Sequence, residues 1–91
     1  MNLEARLDQN IKQAMIAKDQ SRLDVLRFLK SAVKYAKLDK SGSVFTDADI
    51  LQVVQKQIKQ RRESIQQFEG GNRQDLADKE KKELSVLEEY M

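Results

Sequence analysis

No cysteine and no histidine occur in these 91 residues. Without cysteine the chain has no disulfide, no thiolate nucleophile and no cysteine-based zinc site. Without histidine the usual general base near neutral pH is gone, and with it the commonest metal ligand and every Cys-His or Ser-His-Asp arrangement. Most hydrolytic enzyme classes are excluded by these two absences, and neither a metal nor a cofactor is expected. Proline is missing too, and the three glycines stand at 42, 70 and 71, so helix breakers fall at just two places. No run of 18 or more apolar residues occurs, and Met1 to Asp8 mixes Glu4, Arg6 and Asp8 with leucines. Neither a membrane span nor a signal peptide is therefore expected, and the chain reads as a soluble cytoplasmic domain.

The residues that are present favour a helical bundle. Apolar residues make up 40% and charged residues 35% of the chain, too apolar a mixture for disorder. The length suits one domain, residues 1–91, with a thin core. A net charge of +2 is only mildly basic, so any case for nucleic acid rests on where the charges sit.

Two helical hairpins are predicted, an all-α four-helix bundle. Leu3, Leu7, Ile11, Ala14 and Met15 recur at steps of three and four and form one apolar stripe on a helix from about 2 to 18. Asp19 is placed to cap a second helix, which runs to about Leu38. Its apolar face centres on Val25, Leu29, Ala32 and Ala36, flanked by Leu26, Phe28 and Val33. Asp39 to Phe45 has loop composition. Thr46 and Asp49 then spell a capping box, with Phe45 and Ile50 placed as a hydrophobic staple, and the third helix carries Leu51, Val54, Ile58, Ile65 and Phe68. Gly70-Gly71 supplies the left-handed residue that ends it, and Asn72 with Asp75 opens a fourth helix whose stripe is Leu76, Leu84, Leu87 and Met91. That helix meets no stop signal before the last residue, so a chain extending beyond Met91 is expected.

Two groups of cations stand out. Arg27, Lys30, Lys34 and Lys37, spaced 3, 4 and 3, line one face of the second helix, roughly opposite its apolar face. Residues 20–40 hold six basic groups against Asp24 and Asp39, a local net of +4, while the rest of the chain nets −2. Such a stripe suits a phosphate backbone, contacted without sequence readout and with strong salt dependence. An ordinary solvated lysine face has the same pattern, and no aromatic is interleaved for base stacking. In the third helix Lys56, Lys59 and Arg62 lie among Gln55, Gln57 and Gln60, a set of donors and acceptors suited to RNA sugars and phosphates. A plain solvated surface explains that set equally well.

Arg61 is different, because it falls in line with Ile58 and Ile65 on the stripe that faces the core, where a cation needs a partner. If helices three and four turn back on each other at Gly70-Gly71, position 61 lies opposite position 80. Glu80 itself interrupts the stripe of Leu76, Leu84 and Leu87. An Arg61–Glu80 pair is predicted, with Glu83 as the alternate acceptor, holding the hairpin in register rather than doing chemistry.

No catalytic residue is assigned. Asp47 with Asp49 and Asp75 with Asp78 are better explained as first-turn acids that complement the helix dipole. Glu88 with Glu89 does not supply the several oxygen ligands of a magnesium or calcium loop. Ser64 and Ser85 lie mid-helix with no base encoded nearby.

The run Lys59-Gln60-Arg61-Arg62-Glu63-Ser64-Ile65, then Phe68, Arg73-Gln74-Asp75-Leu76-Ala77 and Glu83-Leu84-Ser85-Val86-Leu87-Glu88-Glu89-Tyr90-Met91, closely resembles the YqeY family. Arg22-Leu23-Asp24-Val25-Leu26-Arg27 is similar to that family's second helix. The resemblance implies kinship with the tail domain of GatB, a subunit of the glutamine-dependent amidotransferase that corrects misacylated Asp-tRNA(Asn) and Glu-tRNA(Gln). It therefore implies a helical module facing tRNA or other RNA, but it brings no catalytic residue with it. Family members usually continue past the tyrosine into a proline and a second, smaller helical subdomain, and neither occurs here. Two other readings follow from the same resemblance. One is a protein-interaction module that docks on an amidotransferase or a tRNA synthetase. The other is a contributor to carbon–nitrogen ligase activity inside a larger complex that supplies every catalytic group.

Overall fold

The structure is a computed structural model that describes residues 2–40, 42 and 44–91. Four helices follow in order, α1 (Leu3–Ile16), α2 (Gln20–Asp39), α3 (Asp47–Gly70) and α4 (Gln74–Glu88). The helices form an all-α bundle in which α1 packs on α2 and α3 on α4, with α2 lying against both α3 and α4.

Local chemistry sets the helix ends. Asn2 Oδ1 accepts from the Ala5 amide at 2.8 Å to open α1, and Asp19 accepts from the Arg22 amide at 3.2 Å to open α2. The capping box at α3 is present in both directions, and Asp49 also accepts from Lys40 at 2.8 Å. Phe45 packs against the core cluster that holds Ile50. Ser41 and Ser43 of the expected loop lie outside the described residues, while Gly42 takes a left-handed φ of 84°.

The turn between α3 and α4 departs from expectation. Gly71 has φ −94°, and the left-handed residue is Asn72, with φ 58°. The Arg73 amide reaches back to the Phe68 carbonyl at 2.8 Å and the Asn72 amide to that of Glu69 at 3.3 Å, a Schellman closure. Asn72 is thus spent on ending α3, and Arg73, whose side chain has no acceptor to offer the free amides, stands at the N-cap of α4. The same closure recurs after α1. There Lys18 has φ 56°, and Asp19 and Lys18 donate to the carbonyls of Ala14 and Met15 at 3.0 and 3.2 Å. Nor does α4 run to the chain end, since it stops at Glu88 and Tyr90 turns inward to 4% exposure while Met91 stays exposed.

Leu7, Leu26, Leu29, Val33, Val54, Ile58, Val86, Leu87 and Tyr90 belong to the main core cluster. Three residues expected on the apolar stripes are exposed instead. Met15 on α1 is 51%, Phe28 on α2 59% and Met91 59% exposed, and the buried arc of α2 is Leu23, Val25, Leu26, Leu29 and Val33, so Ala32 and Ala36, expected at its centre, are only half-buried. The core ends at Ile58 on α3 and Leu84 on α4. Beyond it the two helices continue as a paired arm with its own buried contacts at Ile65 and Ala77, which gives extents of 46 × 29 × 19 Å.

Candidate nucleic-acid interface

The basic stripe of α2 divides where α1 lies beside it. Lys30 pairs with Asp8 and Lys37 with Glu4, both acids of α1, so two of the four cations are neutralised within the fold. Lys37 also lies 5.8 Å from the centroid of the Phe45 ring. Arg27 and Lys34, on the side of α2 away from α1, are exposed and make no ion pair among the described residues. Of the four cations expected together on this face, two are thus paired and two are not, because an acid on each of two successive turns of α1 meets every second cation, while the Lys30 and Lys37 side chains stay 41% and 42% exposed.

The same outer face carries Phe28 and Tyr35, 59% and 68% exposed, and they stand one heptad apart beside Arg27 and Lys34. Reading the sequence assigned Phe28 to the core flank and found no aromatic among the cations. The available signal was angular, since Phe28 lies about 100° from Leu29 around the helix, at the edge of any apolar arc.

On α3, Lys56 and Lys59 are exposed without an ion pair among the described residues, beside exposed Gln55 and Gln60. Arg62 lies 3.4 Å from Glu88 of α4, with both side chains largely in water. An open groove of about 550 Å³ runs along this side, with Ile58 in its floor and Lys59, Arg62 and Met91 on its margins. Gln57 departs from its neighbours and is buried to 5% exposure.

Arg61 Nη1 lies 3.1 Å from Glu80 and 3.6 Å from Glu83, so the two charges that break the apolar stripes meet across the hairpin. The carboxylates and hydroxyls weighed for chemistry in the sequence have structural partners as well. Asp47 accepts from the Leu3 amide at 3.1 Å, Asp75 pairs with Arg73 at 3.3 Å, and Ser64 and Ser85 donate to the carbonyls of Gln60 and Lys82. Hydrogen bonding holds Asp49 and Asp75 below the usual carboxylate range, by Lys40 and Thr46 in the first case and by Arg73 in the second. Among the described residues no group of three or more acids is placed to hold a metal ion. No helix there is long and apolar enough to cross a membrane.

A cluster that sequence reading missed closes the chain end. Glu89 accepts twice from Arg22, at 2.7 and 3.0 Å, which lowers its carboxyl pKa and raises that of the guanidinium. Arg6 donates to the Glu89 carbonyl at 2.9 Å and stacks 4.6 Å from the centre of the Tyr90 ring, whose hydroxyl donates to Asn10 at 2.6 Å. These contacts span more than 60 positions of sequence, and no local pattern announces them.

Comparison with known proteins finds that the model of the family described as Yqey-like protein matches residues 4–91. Over 87 residues the chain is 34% identical to Altered inheritance of mitochondria protein 41 of Lachancea thermotolerans, covering 96% of this chain and 46% of that protein. Its counterpart in Kluyveromyces lactis is 36% identical over 86 residues, covering 94% of this chain and 46% of the relative. An uncharacterized protein of Schizosaccharomyces pombe is 32% identical over 90 residues, 99% of this chain and 72% of that one. The chain thus spans just under half the length of the first two relatives.

Proposed function

The chain belongs to the Yqey-like family, and from that premise we propose that it is an RNA-binding accessory module, most suited to tRNA, that performs no chemistry of its own. The observation that carries this reading is the outer face of α2, where Arg27 and Lys34 have no carboxylate partner among the described residues and stand beside two exposed aromatic rings. Unpaired, solvated cations are the ones that release counterions when they meet phosphate. Lys56 and Lys59 extend the surface on α3, with Arg62 available once it leaves Glu88. Lys30 and Lys37 would join this surface only by exchanging Asp8 and Glu4 for phosphate.

An electrophoretic shift of bulk tRNA at two salt concentrations tests this. Binding should weaken steeply with salt, and Arg27→Glu with Lys34→Glu should abolish it while leaving the domain folded. Unchanged tRNA affinity in that double variant overturns the assignment of the surface.

A protein-docking role on an amidotransferase or a tRNA synthetase is the second reading, supported by Leu38 and Met91, which are 64% and 59% exposed. A contribution to amide transfer requires partner subunits to supply the catalytic groups, so the isolated chain should show no glutaminase activity. The names of the Lachancea and Kluyveromyces relatives place those proteins in mitochondria. A cytoplasmic location for this chain is a separate proposal, tested by imaging the tagged protein in its own cell.

A further inference from the structure

At the base of the α3–α4 arm, where α2 passes it, lies an open cleft of about 190 Å³ lined by Phe28, Gln57, Gln60, Arg61, Ser64 and Glu80. Gln57 is the one buried polar residue among the described residues, 5% exposed, and its Oε1 has no hydrogen-bond donor. Buried amide oxygens are almost always satisfied, so an orphan on a residue that lines the cleft calls for a donor from outside the fold. On the opposite count, Phe28 is a large apolar ring left 59% exposed at the same cleft.

We infer that this cleft is a subsite for one unpaired nucleobase, stacked on Phe28 and read at its edge by Gln57; the inference rests on the RNA reading above. The charges in the cleft already answer each other, since Arg61 is held by Glu80 and Glu83, so a free phosphate finds no unpaired cation there. A flat, neutral, polar ring fits better, with its phosphate directed to Arg27 on the adjoining face of α2. Base–aromatic stacking needs only an exposed π-face, which Phe28 supplies. Ser64 has committed its hydroxyl proton to the Gln60 carbonyl, which leaves its oxygen, with Gln57 Oε1, as an acceptor on the wall. A base with an exocyclic amine complements that wall, and a glutamine amide pairs two-pronged with the N6/N7 edge of adenine. Uracil, with no exocyclic amine, suits it least. The volume is several times the ~30 Å³ of a single liquid water, so one bridging water does not fill it.

The test is an NMR titration of the whole chain with AMP, CMP, GMP and UMP, run beside the tRNA shift assay. AMP should move the Gln57 side-chain amide and the Phe28 ring signals, with UMP weaker by about tenfold. Phe28→Ala, an exposed change that leaves the fold intact, and Gln57→Leu should each remove the AMP response and weaken tRNA binding severalfold. Absence of any nucleotide response at Gln57, or equal responses to AMP and UMP, overturns the subsite. It also falls if Arg27→Glu with Lys34→Glu abolishes tRNA binding while Phe28→Ala and Gln57→Leu leave tRNA and AMP binding untouched, and the RNA reading then stands. Conversely, an AMP response in a chain that binds no tRNA removes the RNA reading and retains the cleft as a nucleotide site.

Discussion

Arg61 shows how one residue ties two helices together. It stands 15% exposed in the arm with two carboxylates within 3.6 Å, so it balances more charge than any single pair on the surface. Removing it strands Glu80 and Glu83 together, and Arg61→Leu should cost about 3 kcal/mol. Glu80→Leu should cost less, about 1–2 kcal/mol, because Glu83 remains to hold the guanidinium. Lys81→Leu breaks only the solvated pair with Glu69 and should stay within about 0.5 kcal/mol. Urea denaturation of the three variants checks the order, and equal midpoints for Glu80→Leu and Lys81→Leu refute the register role of the pair.

Among the elements, α1 depends most on charge for its seat. It places Leu7 and Ala14 in the core and pairs Glu4 and Asp8 with Lys37 and Lys30 of α2. Reversing Lys30 and Lys37 to Glu faces acid with acid along that seam and should destabilise the domain by about 1–2 kcal/mol. Reversing Arg27 and Lys34 should change stability by less than about 0.5 kcal/mol, because neither makes an ion pair among the described residues. Thermal melts of the two double variants separate the halves of the stripe. If both pairs melt together, the division of α2 into a structural edge and a free face is wrong. Restoring the first variant with Glu4→Lys and Asp8→Lys should recover the loss.

At the scale of the whole molecule, a four-helix body carries a two-helix arm, and the chain end is tied back on the body by Arg22, Glu89, Arg6 and Tyr90. The Glu89 carboxyl is lowered below its unfolded value by the Arg22 hydrogen bonds. A group shifted in that sense contributes stability above the unfolded carboxylate range, near pH 4.3 at about its ordinary value, and loses it as pH falls through the folded value. Tyr90 is raised by burial, so its contribution is complete below the ordinary tyrosine range, about pH 10, and fades as pH rises through the folded value. Melting curves from pH 7 down to pH 2 should therefore show a smaller acid loss for Glu89→Gln than for the unaltered chain. Superimposable acid profiles would mean that the tie adds nothing to stability.

Much of this fold was legible from local rules. Helix number, the Thr46–Asp49 capping box and the Arg61–Glu80 register follow from periodicity, short-range hydrogen bonding and the demand that a charge on an apolar stripe find its opposite. Even the family is written in contiguous runs of α3 and α4. What local rules missed was what neighbours decide. Asn72 rather than glycine takes the left-handed turn, since either residue tolerates it and the hairpin closure selects the position. Tyr90 folds inward because Asn10 and Arg6, some 80 residues away, meet it there. The candidate interface depends most on the tertiary structure. The identity of four aligned cations is a property of sequence, but which two remain unpaired depends on where α1 lays its acids. The exposure of Phe28 and the orphaned oxygen of Gln57 likewise follow from how closely α2, α3 and α4 approach, a distance that no single helix encodes.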